Sequence, residues 1–243
     1  MGEGDMQNSS PGTALIFGVS GAIGGEIAMC LAKSGLNVIG VGRAAGNRSP
    51  SPARWISWSL GQRFSKEDFD ELKQIDAVIW AQGANCNDTI TDFDRERHLE
   101  IYEANVVCVM ESLRQLLDLR LVSTGTRLCV ISSIWQEIAR QNKLSYTVTK
   151  SALRGLVQSL AIDLGAKNIL INAVLPGALD TPMTRANLSA QQIEKLESET
   201  PLKTLPQFED VCELVAFLCS PKNTGLTGQF IAADRGYSFV RYL

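Results

Sequence analysis

The sequence predicts an α/β fold in a single doubly wound domain, with a seven-stranded parallel sheet covered by helices on both faces. Three observations carry this expectation. Short β-rich apolar runs alternate along the chain with stretches whose apolar residues recur at helical spacing. A cluster of glycines follows the first run and opens the first helical stretch. The 243 residues, 45% hydrophobic and 20% charged, suit one α/β domain and exclude a mostly disordered chain.

Residues 1–12 are polar and rich in Gly and Ser, a flexible N-terminal segment without the basic start or apolar core of a signal peptide. The domain is expected over 13–243. Residues 13–17 are an apolar run and form the first strand; the glycines then lead into a helix over 23–34. Strands follow at 37–41 and 54–58, joined by the loop 44–52, whose Gly, Asn, Ser and Pro leave no room for a helix. Ser65 is an N-cap with Asp68 in capping-box position, so a helix should begin there. A fourth strand covers 76–81, a long helix 94–119, and a fifth strand 127–131. A helix over 145–166, a strand over 169–174, helices over 188–198 and 209–219 and a last strand over 229–233 complete the chain. Apolar strands alternating with helices mean a parallel sheet buried on both faces, with right-handed crossovers. No repeat or interdomain linker is visible.

Composition excludes several functions. With 23 basic and 26 acidic residues the net charge is −3, so no basic excess exists for contacts along a nucleic acid. No apolar run is long enough to span a membrane. The six cysteines form no Cys-x-x-Cys pair and His98 is the only histidine, so a Cys/His zinc site lacks its ligands and no metal is expected. Cys30, Cys108, Cys129 and Cys212 lie in apolar-periodic segments, where a free thiol packs as a small hydrophobe; a reduced, cytoplasmic setting follows. His98 lies in a charged helical run and is expected to be solvated, which removes a Ser-His-Asp triad.

Gly18, Gly21, Gly24 and Gly25 surround Val19, Ser20, Ala22 and Ile23 directly after the first strand. Glycines let the backbone turn sharply and admit a pyrophosphate, while the following helix N-terminus offers free N–H groups and a positive dipole end. This is the first βα turn of a dinucleotide-binding fold. The second strand ends at Gly42-Arg43 with no acidic residue to bond a ribose 2′-hydroxyl. Arg43 instead suits a 2′-phosphate, so the cofactor read here is NADP(H).

Tyr146 and Lys150 are four residues apart, on one helix face and one turn distant. A phenol titrates near ~10 in water, and a neighbouring ammonium favours the phenolate. Lowering it by three units needs ~4 kcal/mol of differential stabilisation, which would suit an acid/base near neutral pH. Ser132 and Ser133 end the fifth strand, at the carboxyl edge where doubly wound sheets bind ligands.

Taken together these residues resemble the short-chain dehydrogenase/reductase family over nearly the whole chain. The family's Thr-Gly-x-x-x-Gly-x-Gly is matched at Gly18 and Gly24, with Phe17 for the threonine and Ala22 for the middle glycine. Its catalytic serine, thirteen residues before the tyrosine, falls on Ser133, and its Tyr-x-x-x-Lys on Tyr146 and Lys150. Its helix asparagine falls on Asn105, and its Pro-Gly-x-x-x-Thr on Pro176, Gly177 and Thr181. The stretches at 171–174, 200–202, 209–211 and 227–229 also match. The chain departs from the family at Trp80-Ala81-Gln82-Gly83, where Asn-Asn-Ala-Gly is usual, at Ser59-Leu60, where an acid usually meets adenine, and at Asp234-Arg235-Gly236.

The resemblance implies a Rossmann fold of strand order 3-2-1-4-5-6-7 and an NADP-dependent carbonyl reductase or alcohol dehydrogenase. Ser133 would hold the substrate oxygen and Tyr146 would donate its proton. Lys150 would bind the nicotinamide ribose and lower the Tyr146 pKa, and Asn105 would hold a relay water. Gly18, Ser20, Gly21, Ile23, Gly24, Arg43, Ser59, Leu60, Ala81, Gln82 and Gly83 would surround the rest of the cofactor. Pro176, Gly177, Leu179 and Thr181 would fix its carboxamide end. A non-catalytic NADP-binding sensor or partner protein is the alternative, although it would need only the cofactor half of this set. Residues 181–200 are expected to form a mobile lid. Trp135 is either a pocket wall or packing beneath that lid, and Arg140 and Arg185 are read as solvated charges. A 3-oxoacyl thioester, a keto sugar and a small ketone all remain open as substrates. Val106, Val107, Val109 and Met110, with Leu153, Leu156, Val157 and Leu160, make two helices apolar on more than one side. With the pairing common among relatives, they imply a homodimer or homotetramer.

Overall fold

The computed structural model describes residues 11–43, 52, 54–70, 72–181, 184–185 and 188–239. The strands are β1 (Thr13–Phe17), β2 (Asn37–Gly42), β3 (Arg54–Ser57), β4 (Ala77–Trp80), β5 (Arg127–Ile131), β6 (Leu170–Pro176) and β7 (Phe230–Ala233). The helices are α1 (Ala22–Lys33), α2 (Arg95–Tyr102), α3 (Cys108–Asp118), α4 (Leu144–Gly165), α5 (Ala190–Glu199) and α6 (Phe208–Leu218). The seven strands form one parallel sheet in the order β3-β2-β1-β4-β5-β6-β7.

Alternation along each strand sends side chains to two separate cores. Leu15, Phe17, Val78, Trp80, Leu128 and Val130 face Val109, Leu113 and Leu116 of α3 and Leu153 and Val157 of α4. Ala14, Ile16, Ala77, Ile79, Cys129 and Ile131 face Ile27 and Leu31 of α1 and Val211 and Val215 of α6. The order reverses between β1 and β4, and that switch point opens a crevice at the carboxyl ends of the strands. Trp80 is fully buried there, stacked on Phe17 at 5.8 Å with its Nε1 donating to Ser112 Oγ at 2.9 Å.

Several expected elements differ. The helix expected from Ser65 is a single 3₁₀ turn, Glu67–Phe69. Its capping bonds are present, Ser65 N to Asp68 Oδ2 at 2.7 Å and Asp68 N to Ser65 Oγ at 3.3 Å. The turn stops because Phe69 and Ile75 are both drawn into the sheet's core, which requires an extended path. The long helix expected over 94–119 is broken at Glu103–Val107 by a π turn between α2 and α3. The loop 44–52, apart from Pro52, lies outside the described residues, as do Arg48, residues 1–10 and parts of the expected lid, 182–183 and 186–187. Cys30 is partly buried and packs against the α1/α6 core, its thiol 3.7 Å from Glu213 Oε1, and Cys219, not among the four expected, is buried too. All six cysteines are free. Among the described residues no helix is long and apolar enough to cross a membrane, and no cluster of His, Cys, Asp or Glu could hold a metal.

Candidate active site

The first feature is the turn from β1 into α1. Gly18 has φ +75°, and a Cβ there would lie 2.5 Å from Gln82 N. A Cβ on Gly24 would lie 2.3 Å from Gly18 O, so the turn closes on itself with no space for either side chain. Gly21 caps α1 with no side-chain bond and no acidic residue stands in the first turn, which leaves the helix N-terminus open to an anion. A pyrophosphate fits this bare backbone cradle. Ser20 is exposed and Ile23 half-buried beside it, and Arg43 is exposed at the end of β2. Ser59 and Leu60 follow β3 at the same sheet edge, with Ser59 N held by Gln62 Oε1 at 2.8 Å.

The second feature joins β5, α3 and α4. Ser133 Oγ accepts from Trp135 N at 3.3 Å and starts a 3₁₀ turn, Ile134–Gln136. The adjacent Ser132 hydroxyl is committed to Gln136 Oε1 at 2.8 Å. Tyr146 is half-buried, and its hydroxyl lies near that of Ser133. Burial raises the Tyr146 pKa, and the Ser133 hydroxyl only partly opposes it. Lys150 is buried, its Nζ donating to Ile131 O at 3.1 Å and lying 5.6 Å from the Tyr146 ring centroid. Burial lowers its pKa to about 8. The expected depression of the phenol by this ammonium is therefore absent in the protein alone, because desolvation dominates and the charge sits over the ring. Lys143, which sequence reasoning missed, lies 5.9 Å from the same ring and bonds Asn85 Oδ1 at 2.9 Å.

Asn105 stands inside the π turn. Its Oδ1 accepts from Ala84 N at 2.7 Å, and its Nδ2 donates to Ala84 O at 3.0 Å and Thr149 Oγ1 at 2.9 Å. It straps the segment after β4 to α4, with one lone pair of Oδ1 left over. A Cβ on Gly83 would approach that oxygen to 3.0 Å and Lys150 Nζ to 3.7 Å. Ala81, Gln82 and Gly83 thus run from the glycine turn to the lysine. Neither Ala84 nor Thr149 carries a sequence signal, since one contributes only backbone and the other an ordinary helix hydroxyl.

The remaining expected residues lie after β6. Pro176 ends the strand, Gly177 packs where a Cβ would meet Asp234 Cβ at 2.9 Å, and Leu179 is buried. Thr181 Oγ1 accepts from Thr184 N at 3.0 Å. Trp135, Ala178, Leu196, Pro206 and Tyr237 line a narrow recess of about 10 Å³, and Trp135 packs half-buried against the sheet core. Arg185 is solvated as expected, 55% exposed, and also pairs with both oxygens of Asp180 at 2.6 and 2.7 Å, while Arg140 is exposed and stacks over Trp135 at 5.8 Å. His98 is half-buried, its Nδ1 2.9 Å from Ser145 Oγ, so it is not solvated. Ser145 is 1% exposed and its backbone N–H is held by Asp88, which gives a helix start and leaves no accessible nucleophile.

The family described as enoyl-(acyl carrier protein) reductase matches residues 61–238. The 3-oxoacyl-[acyl-carrier-protein] reductase FabG of Rickettsia felis is 30% identical over 244 residues, covering 94% of this chain and 97% of that protein. The uncharacterized oxidoreductase YmfI of Bacillus subtilis is 29% identical over 242 residues, covering 93% and 98%. The crystal structure of a short chain dehydrogenase family protein from Francisella tularensis superposes with a TM-score of 0.80 at 26% identity, covering 94% of this chain and 99% of that one.

Proposed function

The chain belongs to the short-chain dehydrogenase/reductase family, and we propose that it transfers hydride between NADP(H) and the carbon of a carbonyl/alcohol pair with Tyr146 as the acid and base. The observation that carries this reading is the Tyr146 phenol beside the Ser133 hydroxyl, with the Lys150 ammonium 5.6 Å from its ring. A protein that only sensed the cofactor would have no use for a buried phenol beside a serine. The nicotinamide, when bound, supplies or accepts the hydride.

In carbonyl reduction the Ser133 hydroxyl orients the substrate oxygen and Tyr146 delivers its proton to it. Burial keeps the phenol protonated, the form reduction needs. Lys150 holds the nicotinamide ribose, and Asn105 holds the segment after β4 in place for it. Gly18, Ser20, Gly21, Ile23 and Gly24 receive the pyrophosphate. Ser59 and Leu60 flank the adenine, and Ala81, Gln82 and Gly83 line the sugars. Pro176, Gly177, Leu179 and Thr181 hold the carboxamide. Six unpaired thiols accord with a reducing, cytoplasmic setting. Met110 on α3 and Val148 on α4 are exposed and supply a face for a second copy, so we read a homodimer or homotetramer. Light scattering at micromolar concentration should show at least twice the 26.4 kDa chain mass; a monomer would refute the oligomer.

The test of the activity is a panel of 3-oxoacyl thioesters, keto sugars, hydroxysteroid-like ketones and small ketones offered with NADPH, followed by loss of nicotinamide absorbance. Turnover of any class supports the reading. Tight NADPH binding without turnover anywhere on the panel would favour the sensor. The cofactor choice rests on Arg43, exposed where β2 ends. Arg43→Ala should weaken NADPH binding about tenfold and leave NADH binding nearly unchanged, the loss of one charge-assisted contact. Equal losses for both cofactors in a calorimetric titration would refute the 2′-phosphate assignment.

A further inference from the structure

One side chain lying between the glycine turn and Lys150 has its polar atoms sealed in the protein and bonded to nothing there. Both Nε2 and Oε1 of Gln82 are shut off from solvent without a hydrogen-bond partner. Among the described residues it is the only side chain with two such atoms. Buried amides are nearly always bonded, and each unsatisfied end is costly. The position of Gln82 narrows what could satisfy it. A Cβ on Gly18 would lie 2.5 Å from Gln82 N and 2.6 Å from its Cα, so the residue backs directly onto the phosphate turn. Its other neighbour, Gly83, lies where a Cβ would come within 3.7 Å of Lys150 Nζ.

We infer that the Gln82 carboxamide, shielded in the cofactor-free protein, turns out on binding to hydrogen-bond the sugar–pyrophosphate portion of the dinucleotide, an inference that rests on the cofactor reading above. Nε2 donates to a phosphate or ribose oxygen, and Oε1 accepts from a ribose hydroxyl. A group that both donates and accepts matches a hydroxyl-bearing sugar better than a phosphate alone. The resembled family carries alanine at this place, which has no amide. The contact is therefore this chain's own addition to the cofactor site.

Gln82→Met keeps the length of the side chain and removes both polar atoms; Gln82→Ala serves if the first variant does not fold. Two quantities decide: the dissociation constant for NADPH by calorimetric titration, and the thermal unfolding midpoint of the cofactor-free protein. NADPH affinity should fall about 5- to 30-fold, equivalent to ~1–2 kcal/mol at 1.4 kcal/mol per tenfold. The cofactor-free midpoint should stay level or rise, because an unsatisfied amide has been removed. ADP-ribose 2′-phosphate, which lacks the nicotinamide, should lose affinity by the same factor. Unchanged NADPH affinity overturns the inference, and a lowered midpoint beside it would assign the amide to an internal water. If the unaltered protein binds neither NADPH nor NADH, the cofactor reading fails and this inference with it. If it binds and the variants bind equally well, only the role of Gln82 fails.

Discussion

Tyr146→Phe is expected to fold, to bind NADPH like the unaltered protein, and to reduce any accepted carbonyl about 10²–10⁴-fold more slowly, the range a general acid contributes. The substitution deletes one hydroxyl and keeps the ring beside Lys150 and Lys143. It leaves the Ser133 hydroxyl its bond from Trp135 N. Steady-state kinetics beside cofactor titration separate the two effects, and unchanged turnover would remove Tyr146 from the mechanism. The pH dependence has a definite sign. Reduction consumes the protonated phenol, and burial raises the Tyr146 pKa, so the reduction rate should stay flat through neutrality and fall only in alkali. Alcohol oxidation consumes the phenolate and should accelerate as pH rises. Lys150 separates stability from activity at the same site. Its folded pKa of about 8 lies below the ordinary 10.5, so the charged lysine destabilises the fold below pH 8 and the cost fades as pH rises toward 10.5. Cofactor-free Lys150→Met should then be more stable than the unaltered protein at pH 7 by about 2 kcal/mol, the desolvation cost less the bond to Ile131. That gap should close above pH 8, while turnover and NADPH affinity both fall.

Gly24→Ala and Gly25→Ala, one residue apart, should move stability in opposite directions. A Cβ on Gly24 would stand 2.3 Å from Gly18 O, 2.8 Å from Gly18 C and 3.0 Å from Val19 Cα, all of them backbone atoms. Gly18 cannot retreat, since it already abuts the backbone of Gln82. The turn must open, at about 3 kcal/mol, the upper end of overpacking costs. For a domain of this size that lowers the unfolding midpoint by roughly 6–12 °C. The pyrophosphate cradle opens with it, so NADPH affinity should drop tenfold or more. At Gly25 the nearest atom to a new Cβ is Val19 O at 3.4 Å, an ordinary contact. Alanine there gains helix propensity, about 0.5–1 kcal/mol. Thermal scans of the two proteins check the pair, and equal destabilisation would show that the turn is not closed as described.

Periodicity was enough to place all seven strands, most of them apolar runs buried on both faces. The family resemblance named Ser133, Tyr146 and Lys150, and the end of β5 and the start of α4 bring these three side chains near one another. What escaped was whatever depends on partners distant in sequence. The Ser65 capping box formed, yet Phe69 and Ile75 had to enter the core and the helix ended after one turn. His98 looked solvated from its charged neighbours, and only the approach of α4 supplied Ser145. Arg185 found Asp180 five residues back, an exposed pairing with no periodic signature. The pKa directions at Tyr146 and Lys150 were equally hidden, because burial outweighs charge there and burial is a property of the whole fold. The break in the long helix was invisible since one surplus residue barely disturbs an apolar stripe.

That surplus residue has a consequence for how the chain tolerates insertion and deletion. Each residue of a regular helix turns it by about 100°. The π turn at Glu103–Val107 absorbs one extra residue, so α2 and α3 keep the phase of one continuous rod. Deleting one residue within it would scarcely shorten the rod. It would restore a regular helix and leave His98 on Ser145 and Ile101 in its buried position. Asn105 would be left facing neither Ala84 nor Thr149. In a lineage of such chains, the length of this segment is thus fixed by the three bonds of Asn105.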